Sequence, residues 1–260
     1  MALPMTKSAM EALGKRLTKH SPPASGDIKS LQELLLSFDE PLAIAVNLVR
    51  DRLGYEPNFR IKTTGVILDK LHRHGGSILK SMQDLAGMRI VSDCSRHQQD
   101  QIASQLMQLF TELGQPLPKL VDRRTHPSHG YRAVHVIVYV DGAPIEIQVR
   151  TKLQHEWANL FEKLADRVGR GIRYGEPPEH FRDRMVGFRD PEMVYTELYK
   201  LFEFIVRIAH NLADQIDSHE RYAPTATGDA LVALEESITS MFAGVRSMIE
   251  LMPRTRRGNL

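Results

Sequence analysis

The sequence predicts an α+β fold, in which helices flank a mixed β-sheet and a helical hairpin follows at the C-terminal end. Three observations predict this class. Short strand-like runs alternate with helical patterns up to about residue 175. The pair Asp141-Gly142 separates two apolar runs and indicates a β-hairpin. Beyond residue 190, apolar residues keep a heptad rhythm along two long segments, which is typical of packed helices.

Turn formers and helix caps divide the chain into elements. The loop Ser21–Gly26 separates a short N-terminal helix from the body. Asp27 is a suitable N-cap for a helix through Phe38, and Pro41 suits the first turn of a helix that runs to Leu53. The remaining elements are a strand over Asn58–Thr63, a helix over Thr64–His74 ended by Gly75-Gly76, a strand over Met88–Ser92, a helix over Ser95–Leu113 closed by Gly114, a strand over Lys119–Asp122, and a helix over Lys152–Val168 ended by Gly169.

The Asp141-Gly142 turn also predicts the strand register. A two-residue turn of this kind requires positive φ at both positions, and it places Val140 opposite Ala143. Counting outward in steps of two gives one continuous apolar face, because strand side chains alternate between the faces of a sheet. The opposite face carries His135 opposite Gln148, Ile137 opposite Glu146, and Arg150 just beyond.

Loop composition divides the chain into three parts. We predict an N-terminal helix and linker over 1–26, a main domain over 27–175 and a helical extension over 176–260, with a boundary at Gly175-Glu176-Pro177-Pro178. The turn-rich segment Ser218–Gly228 favours an antiparallel hairpin of the last two helices. Their apolar stripes indicate packing, and a homo-oligomer or partner interface is the alternative. The stripes consist of Val194, Leu198, Leu201, Ile205, Ile208 and Leu212, and of Leu231, Leu234, Ile238, Met241, Val245, Met248 and Met252.

Composition and cysteine content exclude several classes of protein. The net charge of +2, from 34 basic and 32 acidic residues, gives no general argument for nucleic-acid binding, so any basic surface must be local. Cys94 is the only cysteine, which excludes an intrachain disulfide and a thiol-rich metal site; we expect it to be buried. No apolar run reaches the roughly 18 residues of a membrane span, and Met1–His20 lacks a signal-peptide core, so we expect a cytoplasmic protein without membrane partners.

Four short motifs carry the functional signal, and they occur in a fixed order. They are Arg60-Ile61-Lys62 with Lys70 and Arg73, Asp84-Leu85-Ala86-Gly87-Met88-Arg89, His129-Gly130-Tyr131-Arg132-Ala133-Val134-His135, and Glu146-Ile147-Gln148-Val149-Arg150-Thr151. With Trp157-Ala158 in the following helix, they resemble the synthetase domain of the RelA/SpoT alarmone family over Glu56–Tyr174. The resemblance implies a nucleotidyltransferase-like fold and transfer of the β,γ-pyrophosphate of ATP to a ribose 3′-hydroxyl.

The basic residues of the first two motifs suit the ATP side of this reaction. Phosphoryl-type transfer needs positive charge on several phosphate oxygens, a metal held by carboxylates, and a base near the attacking hydroxyl. Arg60 and Lys62 share one strand face, and Lys70 and Arg73 follow on the next helix. The resemblance implies that these four residues and Arg89 bind ATP, with an arginine stacked on the adenine. A solvated basic face is the alternative.

Two carboxylates are the candidate metal ligands and catalytic residues. Asp84 lies just before a predicted strand, and Glu146 lies on the hairpin of the same sheet. The resemblance implies that Asp84 binds Mg²⁺ and that Glu146 is either the second ligand or the base for the 3′-hydroxyl. Two carboxylates with substrate phosphates and waters are what Mg²⁺ typically uses. For Asp84 the alternative is a cap of the local backbone.

The third and fourth motifs are assigned to the acceptor substrate. The resemblance implies that Tyr131 stacks on the acceptor base, a contact worth roughly 1–3 kcal/mol with a nucleic-acid base. Gln148 and Arg150 would orient phosphates beside Glu146. His135 is either a direct contact in this set or a core histidine, and Tyr131 also has a purely structural alternative.

The chain departs from the family pattern at two places. Val66 stands where the family usually has a serine, and Phe161-Glu162 stands where it usually has Glu-His. Neither change removes a proposed metal ligand, so we still expect activity, but both concern the acceptor pocket. No His-Asp dipeptide occurs, so we do not expect the hydrolase half of long family members.

The identity of the acceptor is the least specified part of the prediction. Residues 127–135 and 157–175 look most like the toxic small alarmone synthetases, some of which resemble toxin-antitoxin effectors that modify the 3′ CCA end of tRNA. The sequence therefore favours tRNA, with an antitoxin as a further partner, over GDP or GTP, and a non-catalytic nucleotide-binding regulator is a third interpretation. RNA binding needs a basic strip, although a helix dipole also favours arginines at a helix end. The strip consists of Arg123, Arg124, Lys152, Arg167, Arg170 and Arg173.

Overall fold

The computed structural model describes residues 5–114, 116–178, 191–222 and 228–251. Helices and strands alternate through the first two thirds, and two long helices follow, as the sequence predicts. In chain order the elements are α1 (Lys7–Leu17), α2 (Ser25–Leu36), α3 (Asp39–Leu53), β1 (Asn58–Ile61), α4 (Thr64–His74), β2 (Ala86–Ser92), α5 (Arg96–Glu112), β3 (Lys119–Asp122), β4 (Val134–Val140), β5 (Ala143–Thr151), α6 (Lys152–Val168), α7 (Pro191–Tyr222) and α8 (Gly228–Leu251). Two 3₁₀ turns are also present: Gly76–Ser81 lies between α4 and β2, and Arg170–Tyr174 follows α6.

The five strands form one mixed sheet in the order β1-β2-β5-β4-β3. The hairpin β4–β5 has the predicted register, in which Val140 faces Ala143. Its turn has φ values of 51° at Asp141 and 81° at Gly142, as a two-residue hairpin turn requires. The fold-class prediction and the hairpin prediction are both confirmed. Because β5 lies between β2 and β4, the residues of the hairpin stand beside those of β2.

The start of α2 differs from the prediction. The helix begins at Ser25 with Ala24 at its N-cap, so the prediction of Asp27 as N-cap is wrong. Asp27 instead lies in the first turn, where a negative charge is favourable, and its carboxylate accepts a 2.7 Å hydrogen bond from Arg16 Nε of α1. This tertiary contact gives the carboxylate a partner other than the backbone. Pro41 lies in the first turn of α3, as predicted.

Two further expectations concern the burial of Cys94 and membrane-spanning helices. Cys94 is half-buried rather than buried, so the expectation of a core cysteine is wrong. None of the described helices is long and apolar enough to cross a lipid bilayer. The cytoplasmic location stays a prediction.

The chain folds into two compact units. The first comprises the described residues within Met1–Ser92, Gln98–Val121 and Val134–Val149, and the second those within Asp93–His97, Asp122–Ala133 and Arg150–Leu260. In the second unit, α6 packs with α7 and α8 around a common core. This grouping differs from the sequence division at Gly175, and the domain bounds 1–26, 27–175 and 176–260 stay a prediction.

Trp157 of α6 lies at the centre of the core of the second unit. Its Nε1 donates a 2.7 Å hydrogen bond to the backbone oxygen of Ala209 in α7, and its ring stacks on Phe161 with centroids 4.8 Å apart. The apolar stripes of α7 and α8 pack in the same core, which confirms their packing role. The buried stripe residues are Ile205, Leu212, Ile238 and Val245.

Part of the stripe prediction is not met or lies outside the described residues. Leu201 is 43% exposed, and α7 continues to Tyr222, so the turn predicted from Ser218 begins too early. Met252 and residues 223–227 lie outside the described residues, as do the side chains of Val194 and Leu231.

A buried carboxyl group on α7 holds the N-terminus of α6. Glu220 accepts hydrogen bonds from Thr151 Oγ1 and, at 2.7 Å, from Gln154 Nε2. Thr151 and Gln154 form the capping box of α6. Burial raises the pKa of Glu220 above its ordinary value, and the two hydrogen bonds offset this effect only in part. Folding therefore favours the protonated form of this side chain.

We expect Glu220→Gln to stabilise the protein increasingly as the pH rises. Because the folded-state pKa of Glu220 is raised, its contribution to stability is complete below the ordinary glutamate pKa and is lost as the pH rises through the raised value. The neutral amide keeps the shape and lacks this loss. Thermal unfolding should show a gain of a few degrees at about pH 8 and a smaller gain at about pH 5.

Glu197, which is exposed on the same helix, provides the matched control. Glu197→Gln should leave the pH dependence of the melting temperature unchanged. Equal gains for Glu220→Gln at both pH values would contradict the assignment of a raised pKa to this group.

Candidate active site

A cavity of about 240 Å³ in the first unit brings together residues of three of the four motifs. Its wall comes from β1, β2, β5 and the turn before β2. These segments meet because β2 lies between β1 and β5 in the sheet. The lining consists of the predicted residues Arg60, Lys62, Asp84, Arg89, Glu146 and Gln148, together with Asn58, Phe59, Gly87 and Met88.

Asp84 is held by two lysines of the predicted ATP-binding set. The backbone N–H of Lys62 donates to the oxygen of Leu85 at 2.8 Å, which places the end of β1 beside Asp84. The Asp84 carboxylate pairs with Lys62, and Lys70 Nζ lies 3.0 Å from its Oδ2. Burial acts to raise the pKa of Asp84, but the two lysines outweigh it, and the pKa lies below its ordinary value. Asp84 is therefore ionised at neutral pH.

Glu146 is held from both sides by its strand neighbours. His135 Nδ1 lies 3.0 Å from Glu146 Oε1, and Gln148 Nε2 donates to Oε2 at 2.7 Å. Burial acts to raise the pKa of Glu146. The contacts with His135 and Gln148 lower the pKa by more than burial raises it, so it lies below its ordinary value. His135 is buried and contacts the carboxylate, so it orients Glu146 in addition to filling the core.

Gly87 allows β2 to approach β5 closely at the cavity. A Cβ atom on Gly87 would lie 2.7 Å from the backbone oxygen of Glu146. Across the other edge of β2, Gly87 pairs with Arg60 of β1. This residue without a side chain on β2 therefore lies between a cationic position on β1 and a carboxylate position on β5.

Sequence reasoning missed part of the cavity wall, and two residues of the predicted ATP-binding set, Lys70 and Arg73, are not among the described residues that line it. Phe59 is 51% exposed on the edge strand β1, with the Arg50 guanidinium 5.9 Å from its ring centroid, and Asn58 precedes it. Alternation places Phe59 on the face opposite Arg60, which hid its role; an exposed aromatic residue beside a cationic motif was the available signal. Arg73, predicted to bind ATP, is exposed in the last turn of α4 and is not among the described residues that line the cavity.

Two predicted acceptor residues contact each other within the second unit. Arg150 Nη2 donates to the Tyr131 hydroxyl at 3.0 Å, and the Arg150 guanidinium carbon lies 5.0 Å from the centroid of the Tyr131 ring. Arg150 is buried, and Tyr131 packs partly against the core of this unit. The tyrosine and the arginine thus form a hydrogen-bonded pair with a cation–π contact.

Half of the predicted basic strip is paired with acidic neighbours. Three of its arginines form ion pairs in the second unit: Arg124 with Asp122 at 2.7 Å, Arg170 with Asp166 at 3.5 Å, and Arg173 with Glu162 at 3.5 Å. Helix α6 as a whole carries three basic and three acidic side chains. In the same strip Arg123 and Lys152 are exposed, and the tRNA-binding role of the six residues stays a prediction.

Contacts within the second unit explain part of the departure from the family pattern, at Phe161 and Glu162. Phe161 is buried in the core of the second unit, where it stacks on Trp157. Glu162 forms the ion pair with Arg173. Val66 is 41% exposed on α4 and is not among the described residues lining the cavity.

The two carboxylates of the cavity are suitable ligands for a hard divalent cation. Asp84 and Glu146 are close enough for the charge of Asp84 to act on the pKa of Glu146. Carboxylate oxygens with substrate phosphates and waters complete a typical Mg²⁺ shell. Within the described part of the chain, no group of three or more Asp, Glu, His or Cys side chains is arranged to hold a metal ion without a substrate.

The comparison with known protein families agrees with the arrangement of this cavity. Residues 59–165 match the region found in RelA / SpoT proteins. This region includes Asp84 and Glu146 together with the cationic residues that line the cavity.

Relatives cover only part of the chain. An uncharacterized protein of Mycobacterium tuberculosis and one of Mycobacterium bovis are each 42% identical over 135 residues, which are 52% of this chain and 48% of theirs. The chain thus spans about half the length of the curated relatives it matches. The small alarmone synthetase 1 of Bacillus subtilis bound to its product pppGpp is 20% identical, with a TM-score of 0.41 over 75% of this chain and 97% of that chain. The same protein bound to AMPCPP is 17% identical, with a TM-score of 0.32 over 75% and 90%.

We expect Gly87→Ala to destabilise the first unit. The added methyl group would meet the Glu146 backbone oxygen at 2.7 Å, and the strand backbone has little room to move. Denaturant unfolding should show a loss of about 1–3 kcal/mol. Gly26→Ala on α2 is the control, because a Cβ atom there meets nothing within 4 Å; it should be neutral or slightly stabilising. Equal stability of Gly87→Ala and the parent would contradict the close approach of β2 and β5.

Proposed function

We propose that the protein is a pyrophosphokinase that transfers the β,γ-pyrophosphate of ATP to a ribose 3′-hydroxyl. The observation that carries the proposal is the convergence of Asp84 and Glu146 with Arg60, Lys62 and Arg89 around one cavity. Phosphoryl-type transfer needs carboxylates and cations together, because charge develops on the phosphate oxygens while a hydroxyl attacks. The RelA/SpoT match over the same residues supports the proposal.

The residues divide into groups that act on donor phosphates and groups that act on the attacking hydroxyl. Arg60, Lys62 and Arg89 bind ATP, and Lys70 supports them from α4 through its contact with Asp84. Asp84, together with Glu146, would hold Mg²⁺, which neutralises charge on the phosphates when bound. Such a cation would compete with the lysines for the Asp84 oxygens.

The reaction forms one bond to phosphorus and breaks one. The ribose 3′-oxygen bonds to the β-phosphorus of ATP, the bond from that phosphorus to the oxygen bridging the α-phosphate breaks, and AMP leaves. Glu146 accepts the hydroxyl proton, because it is ionised and its orientation is held by His135 and Gln148. The resemblance assigns Tyr131 and Arg150 to the acceptor, with Gln148 beside its phosphates.

A free guanine nucleotide, GDP or GTP, is the acceptor that we favour. Binding of tRNA would require a surface that tracks several phosphates. The ion pairs of Arg124, Arg170 and Arg173, and the balanced charge of α6, reduce the positive charge that such a surface would offer to tRNA phosphates. The acceptor preference drawn from the sequence is therefore reversed in this proposal. The toxin role and the antitoxin partner belong to the tRNA alternative.

Incubation of the protein with Mg²⁺, β-labelled ATP and each acceptor in turn tests the activity. The proposal expects stoichiometric AMP and labelled GDP or GTP. A non-catalytic nucleotide-binding regulator would bind ATP without releasing AMP, and that outcome would overturn the proposal. Label in tRNA, with none in GDP or GTP, would establish the second candidate.

We expect Glu146→Gln to abolish transfer while the fold stays intact. The amide keeps the side-chain shape, but it removes the negative charge and the proton acceptor. Loss of the proton acceptor alone should lower kcat about 10²- to 10⁴-fold. Glu112→Gln, at an exposed position of α5, is the control and should keep the parent rate. Activity of Glu146→Gln within a few-fold of the parent, in a protein with unchanged circular dichroism, would contradict the assignment.

Reversal of three arginine charges separates the two acceptors. If the acceptor is GDP or GTP, the combined change Arg167→Glu, Arg170→Glu and Arg173→Glu should alter its kcat/KM by less than about threefold, because a single small ligand releases few counterions. A tRNA acceptor would lose modification steeply, and added salt would reproduce the loss in the parent. Initial rates with both acceptors at two salt concentrations provide the measurement.

A further inference from the structure

Three acidic residues on α7 lie at three-residue spacing and face partners within the second unit. We call Asp214, Asp217 and Glu220 the acidic ridge. Residues three apart on a helix are neighbours on one face. The ridge contacts residues from separate segments of this unit, and two of these residues, Arg132 and Thr151, directly follow residues assigned above to the acceptor.

One end of the ridge holds the residue that follows Tyr131. Arg132 Nη2 donates to Asp214 Oδ1 at 2.7 Å, and Arg132 Nε lies 3.5 Å from Asp217 Oδ1. Arg132 is 9% exposed, and its Nη1 also donates to the backbone oxygen of Gly130 at 3.2 Å. The same side chain therefore ties the two residues that flank Tyr131 to α7.

Asp217 is the most connected member of the ridge. In addition to Arg132, it accepts hydrogen bonds from Arg96 at the start of α5 and from Arg221 on α7, the latter at 3.0 Å. Its side chain is only 14% exposed. A largely buried carboxylate with three guanidinium partners holds each of them in a defined place.

The other end of the ridge holds the residue that follows Arg150. Glu220 is 6% exposed and accepts hydrogen bonds from Thr151 Oγ1 and Gln154 Nε2. Thr151 is both the last residue of β5 and the N-cap of α6. The backbone on the C-terminal side of Arg150 is thus anchored to α7.

Tyr131 and Arg150 contact each other between these two anchors. Their hydrogen bond is 3.0 Å long. Gly130 packs so closely on Trp157 that a Cβ atom would lie 2.7 Å from the indole ring. The tyrosine hydroxyl and the guanidinium therefore depend on two short segments, and both segments are bound by the ridge.

We propose that the acidic ridge of α7 is the positioning element for the acceptor-binding pair Tyr131 and Arg150. The inference rests on the proposed function, because the role of this pair in acceptor binding comes from it. The ridge residues do not touch substrate. They act through Arg132 and Thr151, so they control acceptor affinity and leave ATP affinity unchanged. The C-terminal helices of this chain thereby contribute to recognition of the second substrate.

Asp217→Asn tests the first anchor. The variant keeps the size of the side chain and removes the charge that Arg132, Arg96 and Arg221 share. We expect the acceptor KM to rise about tenfold, with the KM for ATP unchanged and kcat at saturating acceptor near the parent value. Glu197→Gln on the exposed face of α7 is the control and should change neither KM. Equal increases of both KM values, or an unchanged acceptor KM, would overturn the proposal.

Two substitutions at Glu220 test the second anchor and separate positioning from folding. Glu220→Ala removes the contacts to Thr151 and Gln154 and should raise the acceptor KM, whereas Glu220→Gln can hydrogen bond both and should restore it. If both variants have the parent acceptor KM while Glu220→Ala is less stable, the anchor is purely structural and the proposal is wrong.

Hydrogen exchange provides a measurement that does not depend on activity. In Asp217→Asn, amide exchange over residues 128–132 should become faster than in the parent, and acrylamide should quench the single tryptophan more strongly because Gly130 packs on it. If the parent protein releases no AMP with any acceptor, the proposed function fails, and unchanged exchange in the variant would separately overturn the anchoring by the ridge.

Discussion

Burying a carboxylate is unfavourable unless cations or hydrogen-bond donors compensate its charge, and this constraint organises the polar residues of the protein. In the first unit, two lysines keep Asp84 ionised, and a histidine and a glutamine do the same for Glu146. In the second unit, the hydrogen bonds to Glu220 come from neutral side chains, and its pKa rises. The same residue type thus has its pKa shifted in opposite directions: it is lowered at Glu146 in the cavity and raised at Glu220 between helices.

The ionised pair is positioned by strands at Glu146 and by the turn leading into a strand at Asp84. Glu146 and its two donors lie on β4 and β5, whose register is set by a two-residue turn. Asp84 lies at the entrance to β2, and Gly87 removes the side chain that would separate β2 from β5. A site supported by paired strands holds its groups more precisely than one built on flexible connections. This rigidity suits a reaction whose rate depends mainly on positioning and charge.

In the second unit, a residue that departs from the family pattern, Phe161, is accommodated in the core. Phe161 stacks on Trp157, and the indole nitrogen of Trp157 donates to the backbone of α7. The acidic ridge of the same helix then reaches the segments around Tyr131 and Arg150. The core contacts and the polar contacts of α7 therefore act on the same unit. The pairing of basic-strip arginines with acids is part of the same charge balance.

The sequence by itself determined the features that depend on local geometry. The positive φ values at Asp141 and Gly142 specify the hairpin register, and helix patterns specify the bounds of α4 and α6. Only the tertiary structure decided the features that join distant segments. The lysine contacts of Asp84, the exposure of Phe59 in the cavity wall and the buried position of Glu220 all depend on which strands and helices are neighbours. Periodicity and turn chemistry act over a few residues, whereas the order of strands and the burial of a charge result from packing across the whole unit.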